Sequence, residues 1–129
     1  MLVRRLWIPR YRQYTYPDVM LIDGEPAYTE TNTTTVMNPS LIAEVLSKST
    51  KNYDQGDKFL YYRSIPEFKE YILIDQYNYH VMQYLKTADN QWLLTELEGK
   101  EKIMTLKTID FQIQLNDLYE QVDFINEEK

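Results

Sequence analysis

The sequence has no cysteine among its 129 residues, and His80 is its single histidine. The absence of cysteine excludes disulfide scaffolds, thiolate zinc sites and cysteine nucleophiles. One histidine excludes a metal site built from several imidazoles of the same chain. Glycine and proline are also scarce, with three and five residues, and the sequence has no internal repeat or low-complexity tract. The chain is therefore expected to fold without covalent cross-links.

The sequence also lacks a long hydrophobic run. A membrane-spanning helix needs about 20 apolar residues, and a signal peptide needs an uninterrupted apolar core. Arginines interrupt the opening segment MLVRRLWIPR before such a core can form. We therefore expect a soluble, cytoplasmic protein with no membrane partner. A hydrophobic content of 43% over this length fits one compact domain spanning residues 1–129.

Positive charge is in the minority, with 14 Lys and Arg residues against 20 Asp and Glu residues and a net charge of −6. Broad, non-specific adhesion to nucleic acid needs many basic side chains and is therefore not expected. The first twelve residues nevertheless carry four arginines and no acid: Arg4, Arg5, Arg10 and Arg12. This cluster is consistent either with a local phosphate-contacting arm or with a solvated basic edge strand.

Hydrophobic periodicity and turn residues predict a mixed sheet with inserted helices. The predicted strands are 2–8, 17–23, 41–46, 70–75, 79–85 and 92–97, and the last two form a hairpin. The predicted helices are 54–65 and 115–122, whereas 10–16 is predicted as a loop and 29–40 as turn-like. A helix between strands, followed by a meander, favours an α/β or α+β mixed sheet over a sandwich.

Two acids interrupt otherwise apolar strands. Glu44 shares a strand face with Ile42 and Leu46, so its carboxylate projects from an apolar wall, where an unpaired charge is costly. Asp18 begins the neighbouring predicted strand. Two carboxylates that converge from adjacent strands form a hard-oxygen site suited to Mg²⁺ or Mn²⁺.

A lysine is predicted to face the same point. Lys58 lies on one helical stripe with Tyr61, Tyr62 and Ile65, at offsets of three, four and seven residues, which is the face that a helix presents to a sheet. Simpler interpretations exist for each residue. Asp18 could follow a strand-entry proline, Glu44 and Lys58 could form a structural ion pair, and Lys58 could extend along its stem to water. Burial of any one of these three charged side chains would be unfavourable, and a single shared site would compensate all three, so the sequence favours a common site.

Four blocks of the sequence resemble a known family: TYPDVMLIDGEP, NPSLIAEVLSKST, DQGDKFLYYRSIPEFKEYILID and LNDLYEQVDF. They are similar to successive blocks of the restriction-endonuclease-like Uma2 family (DUF820), a branch of the PD-(D/E)xK nucleases, over about residues 6–124. The resemblance implies a mixed sheet flanked by helices and Mg²⁺-dependent hydrolysis of DNA. It matches Asp18 to the acid of the Pro-Asp motif and Glu44 to the acid of the second motif.

The sequence departs from the nuclease pattern in two places. Leu46 stands where the second motif has lysine, and Lys58 fits the role of a lysine that has moved to the following helix. The resemblance also implies a leading segment with a helix before the first strand, so we expect an N-terminally shortened member.

Two functions are therefore expected as alternatives. In the first, a DNA endonuclease, Asp18 and Glu44 hold the metal and Lys58 orients the attacking water, while Glu70 and Asp75 tune the site. In the second, a truncated and inactive domain acts as an interaction module that dimerises through an open sheet edge.

Overall fold

The computed structural model describes residues 5–29, 32–48, 53 and 55–120. Strands dominate this part of the chain. In chain order the elements are β1 (Arg5–Ile8), β2 (Gln13–Thr15), β3 (Val19–Leu21), β4 (Tyr28–Thr29), β5 (Asn32–Val36), β6 (Leu41–Leu46), α1 (Asp57–Tyr62), β7 (Glu70–Asp75), β8 (His80–Ala88), β9 (Gln91–Glu98), β10 (Ile103–Leu106), β11 (Phe111–Gln114) and α2 (Leu115–Leu118). Among the described residues, no helix has the length and apolar character that a membrane crossing requires.

The central sheet has five strands in the order β3-β6-β7-β8-β9. Its one parallel pair is β6 with β7, in which Glu44 is opposite Leu73, and α1 lies in the crossover between these strands. The other pairs are antiparallel. In the β3–β6 pair, Val19 is opposite Ala43, so the entry to β3 lies beside the middle of β6.

Two smaller sheets accompany the central one. The first has the order β2-β1-β5-β4, and the second is the β10–β11 hairpin. In the first, β1 lies between two neighbours, antiparallel to β2 and parallel to β5. Leu6 and Ile8 of β1 are buried, so the expectation that the arginine-rich start forms a solvated edge strand is wrong for the described residues.

The core has two parts, one on each face of the central sheet. The first contains the inward side chains of α1 with residues of β1, β6 and β7, including Phe59, Tyr62, Ile42 and Tyr71. The second contains residues of the hairpin and of α2, including Met104 and Leu115. The buried positions of β6 follow from its apolar sequence, which supplies side chains to both faces.

Most of the predicted elements are confirmed, some with different bounds. The predicted strands 41–46 and 70–75 coincide with β6 and β7, and 17–23 contains β3. The predicted strands 79–85 and 92–97 overlap β8 and β9, which extend to Ala88 and over Gln91–Glu98. The helix predicted over 54–65 contains α1, and α2 begins at the predicted residue. Residues 121–122 of the last predicted helix and residues 2–4 of the first strand lie outside the described part.

Two predictions about strands are wrong, and one hairpin was missed. The segment predicted as loop contains β2, the turn-like segment contains β5 and the last residue of β4, and the β10–β11 hairpin was not predicted. β5 has the sequence NTTTV, which lacks apolar alternation, but β-branched threonines favour extended backbone and both edges of β5 are paired. Backbone pairing therefore outweighs the polar composition.

Glu70 forms hydrogen bonds that connect the turn of the β10–β11 hairpin to the second face of the sheet. Its fully buried carboxylate accepts hydrogen bonds from Gln83 Nε2 (2.6 Å), from the Lys107 N–H (3.0 Å) and from the Thr108 N–H and hydroxyl (2.9 and 2.7 Å). These donors satisfy a buried charge that would otherwise be strongly unfavourable.

We predict that Glu70→Ala lowers the free energy of unfolding by about 3 kcal/mol or more, because several buried donors lose their acceptor together. Urea denaturation measures this loss. The matched control is Glu67→Ala, an exposed glutamate three residues away, whose effect should stay within about 0.5 kcal/mol. A Glu70 variant as stable as the control would contradict the structural role.

Candidate active site

The antiparallel pairing of β3 and β6 brings two carboxylates together. Asp18 lies directly before β3, and its backbone N–H donates to Glu44 Oε1 over 3.2 Å. In return, Asp18 Oδ2 accepts a hydrogen bond of 2.8 Å from the Val45 N–H. The side chain of Asp18 therefore continues the strand pairing where the backbone ladder ends, and its orientation is determined by β6.

Glu44 is the buried member of the pair. Its side chain is only 3% exposed, whereas Asp18 is exposed. Glu44 Oε2 accepts from Lys58 Nζ at 3.1 Å and from the Tyr62 hydroxyl at 3.0 Å. Lys58 and Tyr62 are four residues apart on α1, and a helix presents such residues on one face. One helix face therefore supplies both donors.

Tyr62 links the acid to a further element. Its hydroxyl lies 3.2 Å from Thr15 Oγ1 at the end of β2, so it can donate to Glu44 while it accepts from the threonine. The ring is fully buried and packs edge-on against Phe68 and Tyr71. Packing therefore fixes the hydroxyl in the position that contacts Glu44.

Burial raises the pKa of the Glu44 carboxyl above its ordinary value. The charge of Lys58 and its hydrogen bond oppose this rise, as do the bonds from the Asp18 N–H and the Tyr62 hydroxyl. Loss of hydration remains the largest influence on this pKa. A further positive charge next to Glu44 would favour its ionised form.

The free oxygen atoms suit a small divalent cation. Within the described residues, Asp18 Oδ1 has no hydrogen-bond partner, and Glu44 Oε1 has one, the Asp18 N–H. The same part of the chain has no group of three or more His, Asp or Glu side chains that could hold a metal. Mg²⁺ is commonly bound by one or two carboxylates, with waters and substrate phosphates as the other ligands. The donor set fits that pattern.

The structure brings Asp18 and Lys58 each into contact with Glu44, Asp18 through its backbone N–H and Lys58 through its ammonium. Their roles as metal ligands and catalytic group stay predictions. Leu46, at the position where the motif has lysine, is buried in the core next to α1. A lysine there would have to enter that core. The helical position of Lys58 leaves its side chain 16% exposed.

Glu70 and Asp75, which were predicted to tune the site, do not contact it. Glu70 is used by the β10–β11 turn, on the other face of the sheet. Asp75 Oδ1 accepts from the N–H groups of Tyr77 and Asn78, at 2.6 and 3.0 Å, and so caps the turn between β7 and β8. Glu70 accepts from Gln83 and from the β10–β11 turn, and Asp75 accepts from the turn after β7. Among the described residues neither acid has a hydrogen bond or ion pair with Asp18, Glu44 or Lys58, so the structure does not support their predicted tuning role.

His80 is partly exposed, and its Nε2 lies 3.6 Å from Glu96 Oε1. The sequence also missed the role of Tyr62 and Thr15 at the site. Tyr62 was placed on the correct helix stripe, and its spacing of four from Lys58 was the signal that both side chains could reach one acid.

A family model described as "Putative restriction endonuclease", Uma2, matches residues 4–116. This match covers most of the chain. The chain belongs to the Uma2 family. The matched span includes β3, β6 and α1, which carry Asp18, Glu44 and Lys58, so the candidate site lies within the Uma2 domain.

Two curated proteins of Synechocystis sp. are similar to this Uma2 chain, and both are described as uncharacterised. One is 54% identical over 96 residues, which cover 74% of this chain and 54% of the relative. The other is 29% identical over 120 residues, which cover 93% of this chain and 62% of the relative. The chain thus spans about half to two-thirds of the length of these relatives.

A solved structure shares the fold. A crystal structure described as "a putative nuclease belonging to DUF820", from Anabaena variabilis, superposes with a TM-score of 0.71 at 14% identity. The superposition covers 93% of this chain and 66% of that chain. The fold is therefore the mixed α+β, restriction-endonuclease-like fold that the sequence predicted.

The contacts of Glu44 predict a pH-dependent effect of Lys58→Met. A raised folded-state pKa gives a contribution to stability that is complete below the unfolded pKa of glutamate and is lost as pH rises through the folded pKa. Removal of the ammonium raises the Glu44 pKa further, so the variant should lose about 1–3 kcal/mol more stability at pH 7 than at pH 4.

Urea denaturation of Lys58→Met at both pH values measures this difference, and carboxyl NMR titration of Glu44 reports the pKa directly. Lys48→Met removes the same charge from an exposed position and is the control. Equal destabilisation of the Lys58 variant at the two pH values would contradict the proposed influence of Lys58 on Glu44.

Proposed function

We propose that this chain is a Mg²⁺-dependent endonuclease that hydrolyses phosphodiester bonds of DNA, in the cytoplasm and as one domain. The observation that supports the proposal is the contact of two acids from neighbouring strands with a lysine from the crossing helix, since Glu44 accepts from both the Asp18 N–H and Lys58 Nζ. The family match and the shared fold support the same activity.

Asp18 and Glu44 are the residues that would hold Mg²⁺, or Mn²⁺ in its place. When bound, the ion supplies Lewis-acid polarisation of the scissile phosphate and lowers the pKa of water. Asp18 would offer Oδ1 and Glu44 would offer Oε1, because Lys58 and Tyr62 occupy Glu44 Oε2. Protonation of Glu44 would compete with the cation, so binding should weaken as pH falls through the raised pKa of this carboxyl.

Lys58 is the proposed catalytic cation. Its ammonium lies against Glu44 but retains partial exposure, so it can donate to a phosphate oxygen or to the attacking water as negative charge develops. Tyr62 is a positioning residue, since it contacts Glu44 from inside the core. The exposed side of the site, at Asp18, is where a DNA strand would approach.

The test is nicking of supercoiled plasmid by the purified chain in Mg²⁺, with calorimetric titration of Mg²⁺ alone. We expect Asp18→Asn and Glu44→Gln each to lower the cleavage rate by at least about 100-fold and to weaken Mg²⁺ binding, because each removes one anionic ligand while it preserves side-chain shape. Asp18 is exposed, so its variant should fold normally.

Glu67→Gln is the control, since it removes one exposed carboxylate elsewhere on the surface. It should cleave and bind Mg²⁺ at the original level. Plasmid nicking at an unchanged rate by both site variants would overturn the assignment of Asp18 and Glu44.

A second candidate, an inactive interaction module that forms homodimers, is favoured by one observation. β9 is an eight-residue edge strand of the central sheet, and two of its leucines, Leu93 and Leu94, are 56% and 43% exposed. Long apolar edge strands pair readily with another chain.

On this alternative, the chain is a dimer in analytical ultracentrifugation, and Leu94→Lys makes it a monomer because a lysine blocks edge pairing. Plasmid nicking would then be absent from the original chain as well. A monomeric original chain would rule out this second candidate.

A further inference from the structure

A cavity of about 320 Å³ lies beside the C-terminal end of α1, away from the Glu44 contact. Three segments that are distant in sequence build it: the β1–β2 turn with Arg10 and Tyr11, the end of α1 with Arg63, and the β8–β9 hairpin with Lys86 and Trp92. Its volume lies within the range of small-molecule sites, roughly 300–1,000 Å³.

The charge of this cavity is opposite to that of the chain. Arg10, Arg63 and Lys86 line it, and none of the described residues in its lining is an acid, although the net charge of the chain is −6. Within the ranges that the structure describes, no carboxylate forms an ion pair with any of the three. Three like charges repel one another, so their convergence is best explained by an anionic ligand.

The cations are partly preorganised. Arg63 Nε donates to the Phe59 carbonyl at 3.3 Å, and its guanidinium lies 4.6 Å from the centre of the Phe59 ring. These contacts hold the stem of the side chain and leave the two terminal nitrogens as donors, in the fork geometry that matches a phosphate. The guanidinium of Arg63 is therefore held in place, and none of these contacts neutralises its charge.

Two aromatic rings complete the lining. Trp92 is half-buried and rests against Phe59 and Phe68, with ring centres 5.2 Å apart in each case. Tyr11 rests against Tyr61, with ring centres 5.0 Å apart. Rings that are fixed from behind and border a basic cavity are the arrangement on which nucleic-acid bases stack.

We propose that this cavity binds one unpaired nucleotide unit of a nucleic-acid strand. Its phosphate is held by Arg10, Arg63 and Lys86, and its base stacks against Tyr11 or Trp92. A free nucleotide carries the same chemistry, and the experiment below separates the two sources. A duplex with all of its bases stacked inside cannot fill a concave site of this size.

The position of the cavity relates it to the proposed nuclease site, and this step rests on the proposed function. Lys58 and Arg63 are five residues apart on or directly after α1, which corresponds to an axial rise of about 7.5 Å. That distance is about one to two nucleotide steps of a strand, since the rise of about 3.4 Å in a duplex is the smaller spacing and an unpaired strand can extend further. A strand held in the cavity would therefore pass close to Glu44, and the cavity would select substrates with an unpaired segment.

The experiment measures binding without cleavage, so that its outcome is independent of nuclease activity. Trp7→Phe leaves Trp92 as the only tryptophan of the chain, and its fluorescence is followed in EDTA. The probes are tetrathymidylate, thymidine 5′-monophosphate, inorganic phosphate and a blunt duplex. We expect saturable quenching by tetrathymidylate, weaker binding of the monophosphate, and competition by phosphate without quenching.

Two charge variants, Arg63→Gln and Lys86→Gln, identify the site. Each should lower the affinity for tetrathymidylate about threefold to tenfold. Each should also make the slope of log K against log salt shallower by about 0.7. Lys100→Gln is the control, because it removes an exposed charge from the turn between β9 and β10. It should leave affinity unchanged.

Each outcome decides one part of the proposal. Monophosphate binding as tight as that of tetrathymidylate would assign the cavity to free nucleotides and contradict the proposal that it binds a nucleic-acid strand. Equal quenching by the blunt duplex would overturn the requirement for an unpaired base. If none of these probes quenches Trp92, or if Arg63→Gln binds as tightly as the Lys100 control, the cavity is not a nucleotide site. Loss of plasmid nicking with intact binding would instead count against the nuclease proposal alone.

Discussion

The buried carboxylate of Glu44 is the constraint on which the arrangement of the first sheet face depends. An ionised side chain that is 3% exposed is unfavourable by several kcal/mol unless donors surround it. The donors come from the entry of β3 and from α1, and Tyr62 extends the contact to β2. The contacts that make this acid tolerable therefore also set the position of the crossing helix over the sheet.

The two buried glutamates of the central sheet show how an acid with a structural role differs from one with free capacity. Glu70 lies on the second face of the sheet, and both of its oxygens accept hydrogen bonds from backbone and side-chain donors. Glu44 has an exposed carboxylate, Asp18, directly beside it, and one of its oxygens accepts a single backbone hydrogen bond. The hydrogen bonds to both oxygens of Glu70 leave it no free capacity for a ligand. Glu44 accepts fewer hydrogen bonds on one oxygen and is therefore still able to bind a cation.

The sequence predicted the candidate site better than the periphery of the fold, for physical reasons. A charged residue within an apolar run, such as Glu44, or on the apolar stripe of a helix, such as Lys58, is costly, and that cost is visible in the sequence. β5 carries threonines whose strand character comes from pairing with β1 and β4, which no local pattern records. The hydrogen bonds of Glu70 could not be predicted from the sequence either, because its donors Lys107 and Thr108 are more than 30 residues away.

The position of the lysine on α1 has a structural consequence beyond the charge itself. A lysine at position 46 would replace an apolar side chain that packs in the core and would lie on β6, whose place is set by two neighbouring strands. On α1 the ammonium is carried by a helix that Arg63 follows directly, at the basic cavity. A small displacement of this helix would move both cations together, whereas the strand acids would stay in place. Any strand that contacts both ends of α1 would therefore couple its own position to the distance between Lys58 and Glu44.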